Sequence, residues 1–325
     1  VPPDENLMRV RSLAEGGDFA AFAARWSRPV AHIVFTAHPT FLLSRAQGQA
    51  VAAAASVGDT SAATVCVAGH DRDTITLDYE HAEAMAAIAR GQAARDRITA
   101  LLLGLARERW PDKWQALKPL PVRFASWVGY DMDGRTDIGW QTCLRYRLAE
   151  KAERLTLFAD QLTGDALELA ARLRAAGAYA AELSARFEVE TGDPASLSAL
   201  ANDFSADHPD KLTSLNPVIA EIEALASGSE GAVAERLLTV AAAMRADGLG
   251  MGWIHFRVNN SQLQNAIRRR VDPEGTLDLA SQAALVTMRE LVTKARPLRS
   301  NLAALAIENS TAVRQFLIMA QILHH

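Results

Sequence analysis

The sequence predicts a mostly helical protein with a few short parallel strands. Two observations carry that expectation. Long stretches rich in alanine and leucine place apolar residues at the i, i+3, i+4, i+7 spacing of a helix packed on one face. Between them stand three short apolar runs, far apart in the chain and each closed by polar groups. His32-Ile33-Val34-Phe35 runs into Thr36-Ala37-His38-Pro39-Thr40. Val122 to Tyr130 runs into Asp131, Asp133 and Arg135. Met251 to Phe256 runs into Arg257, Asn259 and Asn260. If the three strands are neighbours and parallel, an imidazole, a pair of carboxylates and a guanidinium collect at one rim, where parallel-sheet enzymes build their sites.

Taken in order, Asn6 to Arg25 reads as helical. The run His32 to Phe35 has the pattern of a strand buried on both faces. A residue before proline is pushed out of the α region, so His38 is expected in extended backbone at the strand's exit rather than on a helix. A core histidine bonded to a carbonyl is the alternative for it. Phe41 to Ser56 reads as helix and Gly58 to Asp73 as a surface loop, on which His70-Asp71-Arg72-Asp73 lacks metal-ligand spacing and reads as solvated. Leu77 to Arg109 predicts one long helix, with Ile98, Leu101, Leu102 and Leu105 on its packed side and Pro111 at its end. His81 reads as a surface residue of that helix.

In the second run, Asp131-Met132-Asp133-Gly134 has the first spacing of a calcium loop. Arg135 and Thr142 then stand where oxygen ligands belong, and the calcium reading fails. Gly129 and Gly134 permit a tight turn. Asp131 and Asp133 on it either orient cationic side chains around an anion or make a structural Asx turn. From Gln141 the chain is helical again. Leu144, Leu148, Leu155, Ala159 and Leu162 form a stripe, and a break falls at Gly164-Asp165. Further helices are expected over Leu167 to Phe187, Pro209 to Ala226 and Ala232 to Asp247, with a turn at Thr191 to Pro194.

Arg257 offers a fixed fork of donors suited to a carboxylate or phosphate; an ion pair with Asp131 or Asp133 is its compatible structural reading. Arg268-Arg269-Arg270 reads as a solvated helix end. Thr276 to Arg296 reads as a packed helix with Leu285, Met288, Val292 and Ala295 on one side. The last helix, from about Thr311, runs to His324-His325 without a cap or glycine stop and reads as truncated. His324-His325 fits native sequence or the start of a purification tag equally well.

Composition narrows the classes. With 325 residues and a formal charge of −4, the chain can bury a large core. No basic block argues for nucleic acid. No apolar run reaches about 18 residues, so no membrane span is expected. The opening Val1 to Asn6 is not a secretory leader. Cys66 and Cys143 are far apart and lack metal-type spacing. Both read as reduced, buried thiols of a cytoplasmic protein.

Three motifs carry a family resemblance. Thr36-Ala37-His38-Pro39-Thr40 resembles the T-A-H-P-T of phosphoenolpyruvate carboxylases, which holds their essential histidine. Phe124 to Gly134 resembles their F-G-S-W-M-G-G-D-R-D-G, and Arg257-Val258-Asn259-Asn260 falls where the family has R-Q-D-S. Gln315 to Leu323 is similar to the helix that follows in the family. The motifs keep family order across nearly the whole chain, which corresponds only to the N-terminal part of such enzymes. Phe41 departs from the family's usual glutamate, Met132 from its arginine, Tyr130 from a glycine, and Arg135-Thr136 from its asparagine-proline.

The resemblance implies a single incomplete domain over 1–325, the N-terminal portion of a helix-rich (β/α)8-type barrel. It implies a cytoplasmic lyase, commonly tetrameric, that fixes carbon dioxide. Phosphoenolpyruvate and bicarbonate give oxaloacetate and phosphate through carboxyphosphate and enolpyruvate. His38 and Arg257 would be catalytic. Ser126, Trp127, Asp131, Asp133, Arg135 and Asn259 would line or support the site. Mg2+ or Mn2+ would be needed, with ligands in segments beyond this chain, so the 325 residues alone are not expected to turn over. A diverged, non-catalytic relative that binds a metabolite or a protein partner is the alternative.

Overall fold

The computed structural model describes residues 3–15, 17–59, 61, 74–132, 135, 137–188, 193–296 and 301–325. They form a mostly helical structure with one three-stranded parallel sheet. The chain divides into two compact units. The first comprises Val1–Gly129, Glu150–Tyr179 and Ser214–His255, and the second Tyr130–Ala149, Ala180–Thr213 and Phe256–His325.

The first unit holds the sheet. Strand β1 (Ala31–Phe35) pairs with β2 (Val122–Ser126) in register from Ala31↔Val122 to Phe35↔Ser126. On its other side β2 pairs with the short β3 (Trp253–Ile254), Ala125 opposite Trp253 and Ser126 opposite Ile254. Phe124 and the partly buried Phe35 and Val122 pack with Ala84, Met85 and Ile88 of the long helix Leu77–Arg109. Gly91 allows that approach, since a Cβ there would lie 3.0 Å from the Phe124 ring. Gly252 allows β3 to reach β2: a Cβ would sit 2.8 Å from the Phe124 carbonyl oxygen.

The expected doubly buried first strand is corrected. Ala31, His32 and Ile33 are exposed, and Val34 and Phe35 are only partly buried. Among the described residues β1 is an outer strand with a single partner, so its apolar run marks a strand but not a central one.

The helices precede and follow these strands. Helices α1 (Pro3–Ala14) and α2 (Phe19–Trp26) replace the single early helix. Gly17 takes φ +75° between them, and Asp18 caps α2 by accepting from the Ala21 N–H. After β1 come α3 (His38–Leu42) and α4 (Arg45–Ser56), the latter opened by a capping box of Ser44 and Gln47. Helix α5 (Leu77–Arg109) has the expected limits, with Thr76 as N-cap, Asp78 and Glu80 in its first turn and Arg107 and Arg109 in its last. The loop expected over Gly58 to Asp73, with Cys66 and His70 to Asp73, lies almost wholly outside the described residues.

Helix α6 (Trp140–Gln161) carries the predicted stripe of Leu144, Leu148, Leu155 and Ala159, all buried, with the buried Leu162 just past its end, and α7 (Leu167–Arg186) follows. Pro194 opens α8 (Pro194–Ser205), with Asp193 as its cap. The helix expected from Pro209 begins later, as α9 (Asn216–Ser227). Proline suits a first turn because its missing N–H has no partner there, and Pro217 fills that role. Helix α10 (Gly231–Asp247) packs on α5 and α9.

The second unit carries α11 (Asn260–Val271), α12 (Gln282–Lys294), α13 (Leu302–Ile307) and α14 (Thr311–His324). Arg268 is not a merely solvated helix end, because it donates to the Asp272 carboxylate and the Leu277 carbonyl. The expected packed stripe of α12 is also corrected. Leu285 and Val292 are exposed, Met288 is partly buried, Ala295 lies beyond the helix, and Ala284 is its buried residue.

Candidate functional site

Because the three strands are parallel and in register, Phe35, Ser126 and Ile254 end on one edge of the sheet. Thr36-Ala37-His38 leaves β1 at that edge. His38 is not in extended backbone; it opens helix α3, with Pro39 in the first turn. The restriction before proline is a preference, and here two bonds outweigh it. The Thr40 N–H donates to the Ala37 carbonyl at 3.0 Å, and the Thr40 hydroxyl donates to the same oxygen at 2.7 Å. The threonine that closes T-A-H-P-T thereby locks the turn.

The His38 ring is exposed, with Nδ1 3.0 Å from the Thr36 hydroxyl oxygen. Trp127, just past β2, meets it edge-on at 6.0 Å between centroids. Its Nε2 makes no hydrogen bond among the described residues. When Nδ1 carries the proton it donates to the Thr36 hydroxyl oxygen, and Nε2 is left as the ring's proton acceptor.

Ser126 serves the scaffold. Its hydroxyl donates to the Phe35 carbonyl across the β1–β2 pair and accepts from the Val128 N–H, both at 3.1 Å.

In the second unit, Arg257 Nη1 lies 3.2 Å from the Asp131 carboxylate. The guanidinium side chain is 60% exposed while that of Asp131 is 9% exposed, so a buried acid holds an accessible cation. Gln315, buried on α14, donates to the Arg257 carbonyl at 2.6 Å and fixes the backbone beneath it. Asn259 caps α11 by accepting from Ser261 and Gln262 N–H groups. Arg135 is paired with Asp137 at 2.9 Å, and that hydrogen bond holds the Asp137 carboxyl below its ordinary range. Asp133 lies outside the described residues.

Two polar clusters of the first unit escape sequence reading. His81, expected at the surface, is buried, and its Nε2 lies 3.0 Å from the buried Glu150 carboxylate. The second cluster centres on Asp247 at the end of α10. Arg95 grips both its oxygens at 2.5 and 2.9 Å, and Arg154 reaches one at 2.6 Å. All three side chains are at most 2% exposed. Burial opposes the Arg95 charge, but the Asp247 carboxylate holds its pKa above the ordinary value. Burial lowers that of Arg154 and raises that of Asp96, the other acid paired with Arg95. Gln92, a turn before Arg95 on α5, donates to the Met251 carbonyl at 2.7 Å. These bonds tie α5 and α6 to the segment that leads into β3, and so position its end.

Cys143 is buried, and burial pushes its thiol up to about 12 from 9.0. A raised thiol pKa favours the folded state below the unfolded value and loses that contribution as pH climbs from about 9 towards 12. Iodoacetamide at pH 8 should therefore leave Cys143 unmodified in the folded protein and label it in urea, as read by peptide mass mapping. Labelling at equal rates in both states would refute its burial.

Among the described residues, no group of three or more His, Cys, Asp or Glu is arranged to hold a metal ion. The described residues therefore offer no ligand set that fits Mg2+ or Mn2+. No helix is long and apolar enough to cross a membrane. Comparison with family models, curated proteins and solved structures finds no match to this chain.

Proposed function

We propose that the gene product carrying this chain carboxylates phosphoenolpyruvate with bicarbonate, giving oxaloacetate and phosphate. The observation that carries this reading is the T-A-H-P-T turn itself. It stands at the carboxyl end of a parallel strand and presents an accessible imidazole oriented by Thr36. The sheet would be an early part of a (β/α)8-type barrel, within a single catalytic domain.

In this reading, bicarbonate attacks the phosphoryl group to give carboxyphosphate and the enolate of pyruvate. Loss of phosphate frees carbon dioxide, which the enolate captures. His38 accepts the carboxyphosphate proton through Nε2. By the resemblance, Arg257, held by Asp131, would offer its fork of donors to a carboxylate or phosphate. Trp127 shields one side of the imidazole from water. By the resemblance, Mg2+ or Mn2+ would be needed, with ligands that are not among the residues of this chain.

A second reading, a diverged relative that binds without turnover, draws on Phe41 and Met132. Phe41 is exposed where the family carries glutamate, and Met132 is buried where it carries arginine. Assay of the intact gene product for oxaloacetate dependent on both phosphoenolpyruvate and bicarbonate separates the two. Product formation supports the carboxylase, and its absence with substrates bound supports the relative.

A further inference from the structure

We propose that His32 and His255 form a two-histidine site for a borderline-soft divalent transition-metal ion on the exposed side of the sheet. The proposal is independent of the carboxylation reading and of the hard ion that reading calls for. His32 lies on β1, and His255 follows β3, where its N–H extends the ladder to the Ser126 carbonyl at 2.9 Å. The fold brings these rings together across 223 positions of chain, Nε2 to Nε2 at 3.0 Å.

The rings are parallel within 3°, with centroids 5.1 Å apart. The centroid separation exceeds the nitrogen separation by 5.1 − 3.0 = 2.1 Å, close to the two centroid-to-nitrogen spans together. The imidazoles therefore meet edge to edge, nitrogen facing nitrogen, not face on face. In the metal-free pair one ring donates its Nε2–H and the other accepts.

Two imidazole nitrogens each about 2.0–2.1 Å from one ion, at an angle of about 90–110°, stand roughly 2.9–3.4 Å apart. The pair already spans that distance. Turning each ring about its broad terminal torsion aims both lone pairs at one ion. The donor ring's proton shifts from Nε2 to Nδ1, so both rings stay neutral and no net proton is lost. Imidazole favours Cu2+, Ni2+ and Zn2+, with Cu2+ bound most tightly, and does not favour Mg2+. Water fills the remaining positions, since His32 is exposed.

Two neighbours shape the site. Arg123, in register with His32, carries a positive charge that weakens cation binding. Its guanidinium lies 4.4 Å over the ring of Trp253, two residues before His255 and 48% exposed. Trp253 is thus a built-in fluorescent reporter of a quenching ion.

The test titrates the full chain, in a His324→Ala/His325→Ala background, with CuCl2 while following tryptophan fluorescence and binding heat. One saturable equivalent is expected, with a Cu2+ electron paramagnetic resonance spectrum coupled to two nitrogens. His32→Gln and His255→Gln should each weaken binding at least tenfold, and Arg123→Ala should tighten it. His208→Ala, on an exposed loop, should change nothing. Absence of saturable binding, unchanged affinity in both glutamine variants, or equal competition by Mg2+ would overturn the proposal. The spectrum of the chain with both ring nitrogens intact decides the matter even if a glutamine variant misfolds.

Discussion

Asp247→Ala should destabilise the protein by about 3–5 kcal/mol in urea unfolding, because it strips the shared carboxylate from two buried guanidiniums. Arg95 would keep Asp96, and Arg154 would lose the acid it pairs with while still stacked 4.1 Å over Phe158. Desolvation makes each orphaned charge costly, while the intact cluster is worth less than that cost suggests. A triple replacement, Arg95→Met with Arg154→Met and Asp247→Leu, should therefore be less damaging than the single change. If Asp247→Ala cost under about 1 kcal/mol, water would have to reach these side chains, contrary to their burial. The local result should be loss of the α10–β3 connection, since Asp247 and the Gln92–Met251 bond anchor the chain on both sides of Gly248.

His38→Asn in the intact gene product should lower oxaloacetate formation by roughly 10²–10⁴-fold, the usual contribution of a positioned acid–base group. Thr36→Val removes only the bond that orients the ring. A hydrogen bond is worth about 1 kcal/mol net, so a fall of several-fold, nearer to five than to a hundred, is expected. Both residues sit on the surface side of the turn that Thr40 locks, and neither change should alter unfolding midpoints much. Equal losses in the two variants would mean that the turn, and not the imidazole, is what matters.

The sequence showed clearly where strands and long helices lie. Apolar runs at His32 to Phe35, Val122 to Tyr130 and Met251 to Phe256 marked the three strands, which end earlier in the last two, at Ser126 and Ile254, and the stripe through Leu102 and Leu105 marked α5 with its observed limits. What it could not show depends on which residues the fold apposes. An apolar run looks the same on an outer strand as on an inner one, so the exposure of Ile33 was not legible. His81 and Asp247 look like ordinary surface residues of helices until Glu150, Arg95 and Arg154 are brought against them. Asp131 with Arg257 was foreseen as one of two pairings, because both lie just beyond strand ends. The expected role of Asn259 beside substrate was read from a motif, whereas its position before Ser261 and Gln262 also carries the signature of a helix cap.

In the proposed reaction, bicarbonate oxygen attacks the phosphoryl group of phosphoenolpyruvate and His38 assists the intermediate's breakdown. Incubating the intact gene product with phosphoenolpyruvate and 18O-labelled bicarbonate tests it most directly. The expected products are oxaloacetate together with phosphate carrying one 18O atom, with oxaloacetate falling sharply in His38→Asn. Unlabelled phosphate appearing with pyruvate, or oxaloacetate formed undiminished by His38→Asn, would contradict it.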